Sequence, residues 1–233
     1  MKKSYFLQHP RLGKIYIVPH PTSRKFSARW RNGVLKVIVP QRSSKKNIEH
    51  ALAQMEAGLL ESKIKIRNTG DIVLPDWKIA VGRQNAKPEQ IVARFSFPQC
   101  ELQIGTNINL DSDEGFELFT RAAMTVGKKV AAGLLLPRAK EIAAVLGREP
   151  SEWSISNGHQ TLGRCDVKGR IALSFMNVFL PPELRDYIIC HELAHLTYMN
   201  HSEAFHALCD NYLGGKEKEL RKRLRNYQWP VKR

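Results

Sequence analysis

The sequence predicts an α+β fold, with strands early in the chain and helices later. Residues 14–18 and 25–40 alternate apolar and polar side chains, as half-buried strands do. From Glu114 onward the apolar residues recur with a helical period, which strand-like residues interrupt only between 151 and 175. Strands and helices that occupy separate parts of a chain are typical of the α+β class.

The N-terminal strands are predicted to form a hairpin, and a helix follows them. Asn32 and Gly33 divide residues 25–40, and both residue types tolerate the positive φ angles of a tight hairpin turn. Residues 44–63 have helical periodicity, with Ser44 as the N-cap. Four further short strands are expected at residues 71–74, 77–82, 90–97 and 100–105.

Two helices are predicted in the middle of the chain, and strands follow them. Residues 114–136 and 138–147 are expected to form two helices that meet at an angle, because Pro137 removes a backbone donor and clashes with the preceding turn. Strands follow within residues 151–175, where residues 170–175 have the clearest pattern.

The last part of the chain is predicted to contain two more helices. A helix over residues 181–200 has proline in its first turn, and the next helix is N-capped by Ser202 and closed by the glycines at 214–215. We therefore expect a β-rich region with one helix at residues 1–115, packed as part of the same unit as a catalytic region at residues 116–233.

Composition and charge narrow the classes of function. No apolar stretch is long enough for a signal-peptide core or a membrane span, so we expect a cytoplasmic protein without a membrane partner. The four cysteines lack paired spacing and are expected to be reduced thiols.

The net charge of +15 is concentrated in residues 1–48, which contain no acidic residue, and in residues 216–233. Such ends suit nucleic acid or another polyanion, and solvated surface charge is the alternative interpretation.

The stretch CHELAHLTYMNH, residues 190–201, carries the chemistry of the chain. On a helix, residues four apart share a face, so His191 and His195 can present two imidazoles to one metal ion. Glu192 lies one position round the helix and reaches a water at the metal, as the general base of the H-E-x-x-H zinc hydrolases does. His201 falls in a helix break, from which its side chain can complete the ligand set.

Other residues near this motif offer alternatives. His201 has the spacing of the third metzincin ligand and is the expected third ligand, with Glu203 and His206 as rivals. Tyr198 stands where the metzincin pattern has a glycine, which argues against the metzincin class itself. Tyr187 and Tyr198 are candidate helpers for a developing oxyanion, although both are also interpreted as core or rim side chains. The cysteines at 165 and 190 are interpreted as small buried thiols rather than ligands or nucleophiles.

Two segments resemble the YgjP-like family of zincin metallopeptidases, which is related to the SprT-like and WLM metalloproteases. Residues 191–205, HELAHLTYMNHSEAF, resemble the family's H-E-L-A-H-x5-H-S-x-x-F pattern. Residues 162–175, LGRCDVKGRIALSF, resemble its W-G-S-C-x5-I-x-L-x segment, with Leu162 in place of tryptophan and Arg164 in place of serine. The similarity is dense over residues 159–206 and looser elsewhere.

The resemblance implies a zincin-like metallopeptidase fold in which His191, His195 and His201 bind Zn²⁺ and Glu192 is the base. It also implies a protein or peptide substrate, which would pair as an extended strand with residues 170–175 at a sheet edge. Two other hypotheses remain: a nucleic-acid- or polyanion-binding protein with a structural zinc, and a protease that acts on DNA-bound proteins. The second hypothesis follows from two observations: the chain has basic ends that suit nucleic acid, and the SprT-like and WLM relatives act on DNA-bound proteins.

Overall fold

The computed structural model describes residues 4–31, 34–65, 69–83 and 87–231. The chain forms two compact units, Met1–Asn68 and Thr69–Arg233. No helix within the described residues is both long and apolar enough to cross a lipid bilayer.

The first unit contains a four-stranded sheet and one helix. Its elements are β1 (Tyr5–His9), β2 (Gly13–His20), β3 (Ser27–Arg31), β4 (Val34–Pro40) and α1 (Lys45–Lys65). The strand order is β1-β2-β4-β3, with β2 and β4 parallel and both outer pairs antiparallel. The register of β3 against β4 confirms the predicted antiparallel pairing, while the turn residues 32–33 lie outside the described residues. The sequence does not predict β1.

One face of this sheet forms the core of the first unit. The buried side chains alternate along β2 and β4, and α1 adds two more to them, giving Ile15, Ile17, Leu35, Val37, Val39, Ile48 and Leu52. Ser44 caps α1 as predicted, because its Oγ accepts the backbone N–H of Asn47 at 3.2 Å. Trp30 Nε1 donates to the carbonyl of Leu59 at 3.0 Å and ties β3 to the helix.

The second unit begins with another four-stranded sheet. Its strands are β5 (Ile72–Val73), β6 (Lys78–Gly82), β7 (Ile91–Arg94) and β8 (Gln99–Ile104), so all four strands predicted in this part are confirmed. The order β5-β6-β8-β7, with one parallel pair between two antiparallel pairs, repeats the topology of the first sheet.

A single helix, α2 (Asp113–Val145), crosses the core of the second unit. The prediction of two helices that meet at Pro137 is wrong, because this proline lies inside the continuous helix. Apolar residues on both sides of the proline, Leu135 and Ala139, are buried in the same core. Tertiary burial therefore outweighs the cost of one missing backbone hydrogen bond. Gly127 permits close packing on this helix, since a Cβ there would lie 2.7 Å from the ring of Phe179.

The third sheet leads directly into the helices of the C-terminal half. It contains β9 (Glu152–Ser156), β10 (Gly163–Cys165) and β11 (Arg170–Ser174), and a 3₁₀ helix, Phe175–Phe179, follows. The strand order is β10-β11-β9, which makes β11 the central strand. The expectation that residues 170–175 form a substrate-pairing edge is therefore wrong, since both edges of β11 are already hydrogen-bonded to neighbouring strands.

Three helices complete the second unit: α3 (Pro182–Ala194), α4 (Glu203–Tyr212) and α5 (Glu217–Arg225). The proline in the first turn of α3 and the Ser202 cap of α4 are confirmed, with Ser202 Oγ accepting the N–H of Phe205. The glycines at 214–215 end α4 with φ angles of 60° and 82°, as a glycine stop requires. Helix α3 ends six residues earlier than predicted, and α5 is not predicted from the sequence.

The units divide at residues 68 and 69, whereas the sequence predicts a boundary at residue 115. The reason is packing: Ile79 and Leu102 of the second sheet belong to the same core as Phe119 of α2. The α+β class and the hairpin-containing N-terminal sheet are confirmed. The assignment of catalysis to residues 116–233 stays a prediction.

We expect Tyr227→Phe to destabilise the second unit by about 1 kcal/mol, since it removes one hydroxyl donor from a partly buried carbonyl. Tyr227 donates to the carbonyl of Phe179 at 2.7 Å, just before α3 begins. Urea unfolding with a chelator present measures the change. The control is Tyr198→Phe, whose ring is 37% exposed and which should change stability by less than about 0.5 kcal/mol. Equal effects of the two substitutions would contradict the anchoring role of Tyr227.

Candidate metal centre

Helix α3 positions two imidazoles at its C-terminal end. Its inward side is apolar, with Leu184, Ile189 and Leu193 buried, so the helix is held in one rotation about its axis. His195 is the C-cap of the helix and keeps helical backbone angles, φ −65° and ψ −18°. The i,i+4 relation to His191 is therefore preserved, and the two ring centroids are 5.0 Å apart.

The third imidazole arrives from the segment between α3 and α4. The chain turns after His195, and His201 precedes the Ser202 cap of α4. The Nε2 atoms of His201 and His191 are 3.1 Å apart. One nitrogen from each of the three histidines lies within 4.8 Å of the other two. Two nitrogens on a tetrahedral zinc are separated by roughly 3.3 Å, so this donor set fits one such ion.

A single buried phenyl ring supports all three imidazoles. Phe205, in the first turn of α4, has no exposed surface. Its centroid lies 4.9 Å from that of His191, 4.5 Å from His195 and 4.8 Å from His201. Packing against one ring restricts the rotamers of three side chains that come from two segments of the chain.

Hydrogen bonding orients only part of the cluster. His195 Nδ1 lies 2.9 Å from the carbonyl oxygen of Tyr198, so this nitrogen donates and leaves Nε2 free as a ligand atom. Buried Nδ1 of His191 finds no hydrogen-bond partner among the described residues. Burial first, and then the neighbouring histidines, lower the pKa of His191 to about 3. The ring is therefore neutral near pH 7, as a metal ligand must be.

Glu192 follows His191 on α3 and lies against the short edge strand β10. Its side chain is buried, and burial raises its pKa to about 7, while a hydrogen bond from the backbone N–H of Cys165 opposes that rise. A Cβ atom at Gly163 would overlap the Glu192 carboxyl group, at 2.6 Å from Cδ. The absence of a side chain at position 163 thus creates the space that the carboxyl group occupies.

The register of β10 shows which backbone groups face the open edge. The Leu162 carbonyl accepts the N–H of Ser174 at 2.8 Å, and the N–H of Asp166 donates to the Arg170 carbonyl at 3.1 Å. In an antiparallel pair, alternate residues bond to the partner strand, so Leu162, Arg164 and Asp166 face β11. The backbone groups of Gly163 and Cys165 point away from β11, toward Glu192 and the open edge.

The rival ligands lie outside the cluster. The three-histidine group includes neither Glu203 nor His206. Glu203 is exposed in the first turn of α4, where an acidic side chain favours the helix terminus. His206 Nδ1 is 3.2 Å from Oε1 of Glu217, which also pairs with Arg221 at 3.5 Å. His206 therefore belongs to a neighbouring polar network.

The remaining candidates have structural positions. Cys190 is buried, and burial raises the pKa of its thiol to about 12. Cys165 is half-buried, and burial raises the pKa of its thiol to about 11, which opposes a nucleophilic role. Tyr187 is 4% exposed within the core, and Tyr198 contributes its backbone carbonyl to His195.

The sequence reasoning missed three contributors to this centre. Phe205 and Gly163 lie in segments whose signal in the sequence is their resemblance to the family patterns, and the backbone N–H of Cys165 leaves no trace in a residue pattern. The signal for Phe205 was its fixed distance after His201 in the H-S-x-x-F pattern. No local signal connects Gly163 to Glu192, because the two residues are 29 positions apart.

Three converging imidazoles beside a buried carboxyl group, on an α+β scaffold, define the class of metal-dependent hydrolases to which metallopeptidases belong. The comparison with family models agrees: residues 24–227 match the model of the YgjP-like metallopeptidase domain. The chain belongs to the YgjP-like family, as its resemblance predicts. No curated protein and no solved structure matches the chain significantly.

We expect Phe205→Leu to weaken binding of a divalent cation by about tenfold or more, because orienting contacts around metal ligands contribute that much to affinity. Competition with a chromogenic chelator measures the affinity. Phe119→Leu is the matched control, since Phe119 is equally buried but lies in α2. A loss of stability in both variants with unchanged cation affinity would show that Phe205 serves packing alone.

Proposed function

We propose that this protein is a zinc-dependent metallopeptidase whose ligands are His191, His195 and His201 and whose general base is Glu192. The observation that carries the proposal is the pairing of three convergent imidazole nitrogens with a carboxyl group held beside them by β10. Membership of the YgjP-like metallopeptidase family supports the reaction class. The cytoplasmic location expected from the sequence stays a prediction.

An ion in the cluster supplies Lewis-acid polarisation of a water and of the scissile carbonyl. Zinc suits the donors because the three imidazoles that the described residues bring together leave a fourth position open, which is the arrangement of catalytic rather than structural zinc sites. A set of three protein ligands argues against the alternative of a purely structural zinc, which uses four protein ligands.

Glu192 carries out the proton transfers. Its carboxylate accepts a proton from the attacking water, whose oxygen forms a bond to the carbonyl carbon. Glu192 then donates this proton to the amide nitrogen as the C–N bond breaks, which releases a carboxylic acid and an amine. The hydrogen bond from Cys165 and the space at Gly163 hold the carboxyl group in place for both steps.

The open edge of β10 is the proposed binding site for an extended peptide. The backbone of Gly163 and the carbonyl of Cys165 face this edge, while the Cys165 N–H donates to Glu192 beside them. A peptide strand that pairs here gains main-chain hydrogen bonds that do not depend on its sequence. It also places one of its own peptide bonds close to the base, which the central strand β11 cannot do.

Purified protein should contain close to one zinc per chain, measured by plasma emission spectroscopy. Glu192→Gln should keep the zinc and lower kcat on a quenched-fluorescence peptide library by at least about 10², since general acid–base catalysis contributes that much. Glu203→Gln is the matched control, because it removes the same charge from an exposed residue eleven positions away. Wild-type protein with zinc bound and no hydrolysis of any library member would exclude a peptidase.

Gly163→Ala tests the contact between β10 and Glu192. The added methyl group must displace the carboxyl group, and a displacement of about 1 Å costs on the order of 10² in rate. Zinc content should stay unchanged. Gly158→Ala is the control, because the nearest atom to its new Cβ is Ser156 Oγ at an ordinary 3.8 Å. Full activity in Gly163→Ala would contradict the assigned position of the base.

A further inference from the structure

The sheet of the first unit has a second face that its core does not use. Side chains alternate along each strand, so the residues between the buried ones point the opposite way from α1. One row crosses all four strands in register: Phe6 pairs with Tyr16, Tyr16 with Lys36, and Lys36 with Arg29. We call these four residues the outer row. It spans about 14 Å, at about 4.8 Å per strand.

The outer row presents aromatic rings beside cations. Phe6 is 56% exposed, and its ring centroid lies 4.8 Å from that of Tyr16. The ammonium of Lys14, on the same face of β2, lies 4.3 Å from the centroid of Phe6. Lys36 and Arg29 continue the row on β4 and β3. No ion pair among the described residues involves Lys14, Lys36 or Arg29.

The charge around this face has one sign. Residues 1–48 contain twelve lysines and arginines and no aspartate or glutamate. The first acidic residue, Glu49, lies in α1, which packs on the opposite face of the sheet. A surface that combines positive charge with an exposed aromatic ring is complementary to a polyanion that also has flat, apolar faces.

We propose that the outer row binds single-stranded nucleic acid. A base stacks on the exposed Phe6 ring, and Lys14, Lys36 and Arg29 neutralise the phosphates on either side of it. A single strand fits better than a duplex because the bases of a duplex are already stacked and cannot reach an aromatic side chain. The site lies wholly within the first unit, so it is independent of the metal centre and of the proposed hydrolysis.

Fluorescence anisotropy of the full-length protein tests this proposal. The probes are 5′-fluorescein-labelled dT12 and rU12, a 12-base-pair duplex, and an acidic peptide of similar charge. We expect both single strands to bind more tightly than the duplex or the peptide, with affinity that falls steeply with salt. The ratio between the dT12 and rU12 affinities identifies whether single-stranded DNA or RNA is the preferred ligand.

Two pairs of variants separate the effects of stacking and of charge at the outer row from the effects of similar substitutions elsewhere in the protein. Phe6→Ala should weaken binding of the single strands at least about fivefold, as loss of one stacked base does. Phe95→Ala should leave the binding of the single strands unchanged, although Phe95 is also exposed, at 43%, and also has a lysine over its ring. Lys36→Ala should lower the salt slope by about 0.7, whereas Lys46→Ala on α1 should leave it nearly unchanged.

Three results would overturn the proposal. The first is equal affinity for single strand, duplex and acidic peptide, which indicates a general polyanion surface. The second is an equal effect of the two variants within each pair. The third is the absence of measurable binding to dT12 and rU12 at about 50 mM salt, where phosphate contacts are strongest. Circular dichroism of each variant verifies that the fold is retained.

Discussion

The contact between Phe205 and three imidazole rings is the interaction on which the geometry of the metal centre depends. His191 and His195 come from the end of α3, and His201 comes from the segment before α4. These segments share the buried phenyl ring, with all three centroid distances between 4.5 and 4.9 Å. Among the residues that the structure describes, His195 alone of the three histidines has its second ring nitrogen fixed by a backbone carbonyl. Shape therefore supplies the preorganisation that hydrogen bonds supply in many metal sites.

A second constraint positions the Glu192 carboxyl group against the edge strand β10. The three-residue strand β10 makes space for the Glu192 carboxyl group at Gly163 and donates to it from Cys165. The backbone of Gly163 and the carbonyl of Cys165 face the open edge of the sheet, so the short strand that holds the base is also the strand at which we propose that a peptide pairs.

Local features of the structure could be predicted from the sequence, whereas contacts between distant segments could not. Helical spacing predicts that His191 and His195 share a face, and cap chemistry predicts the boundary at Ser202. In contrast, strand order depends on pairing partners, so the pattern of residues 170–175 predicts a strand but does not show that this strand is the central one. Pro137 shows the same limit, because burial on both sides of it holds α2 continuous against its local preference. The relation of Gly163 to Glu192 is likewise visible only in the fold.

The central claim is that His191, His195 and His201 together hold one zinc ion. X-ray absorption at the zinc edge measures the ligands of that ion directly in solution. The account predicts three imidazole nitrogens and one oxygen ligand, all at about 2.0–2.2 Å, with no sulfur in the shell. A sulfur ligand at about 2.3 Å, or only two imidazoles per zinc, would contradict it.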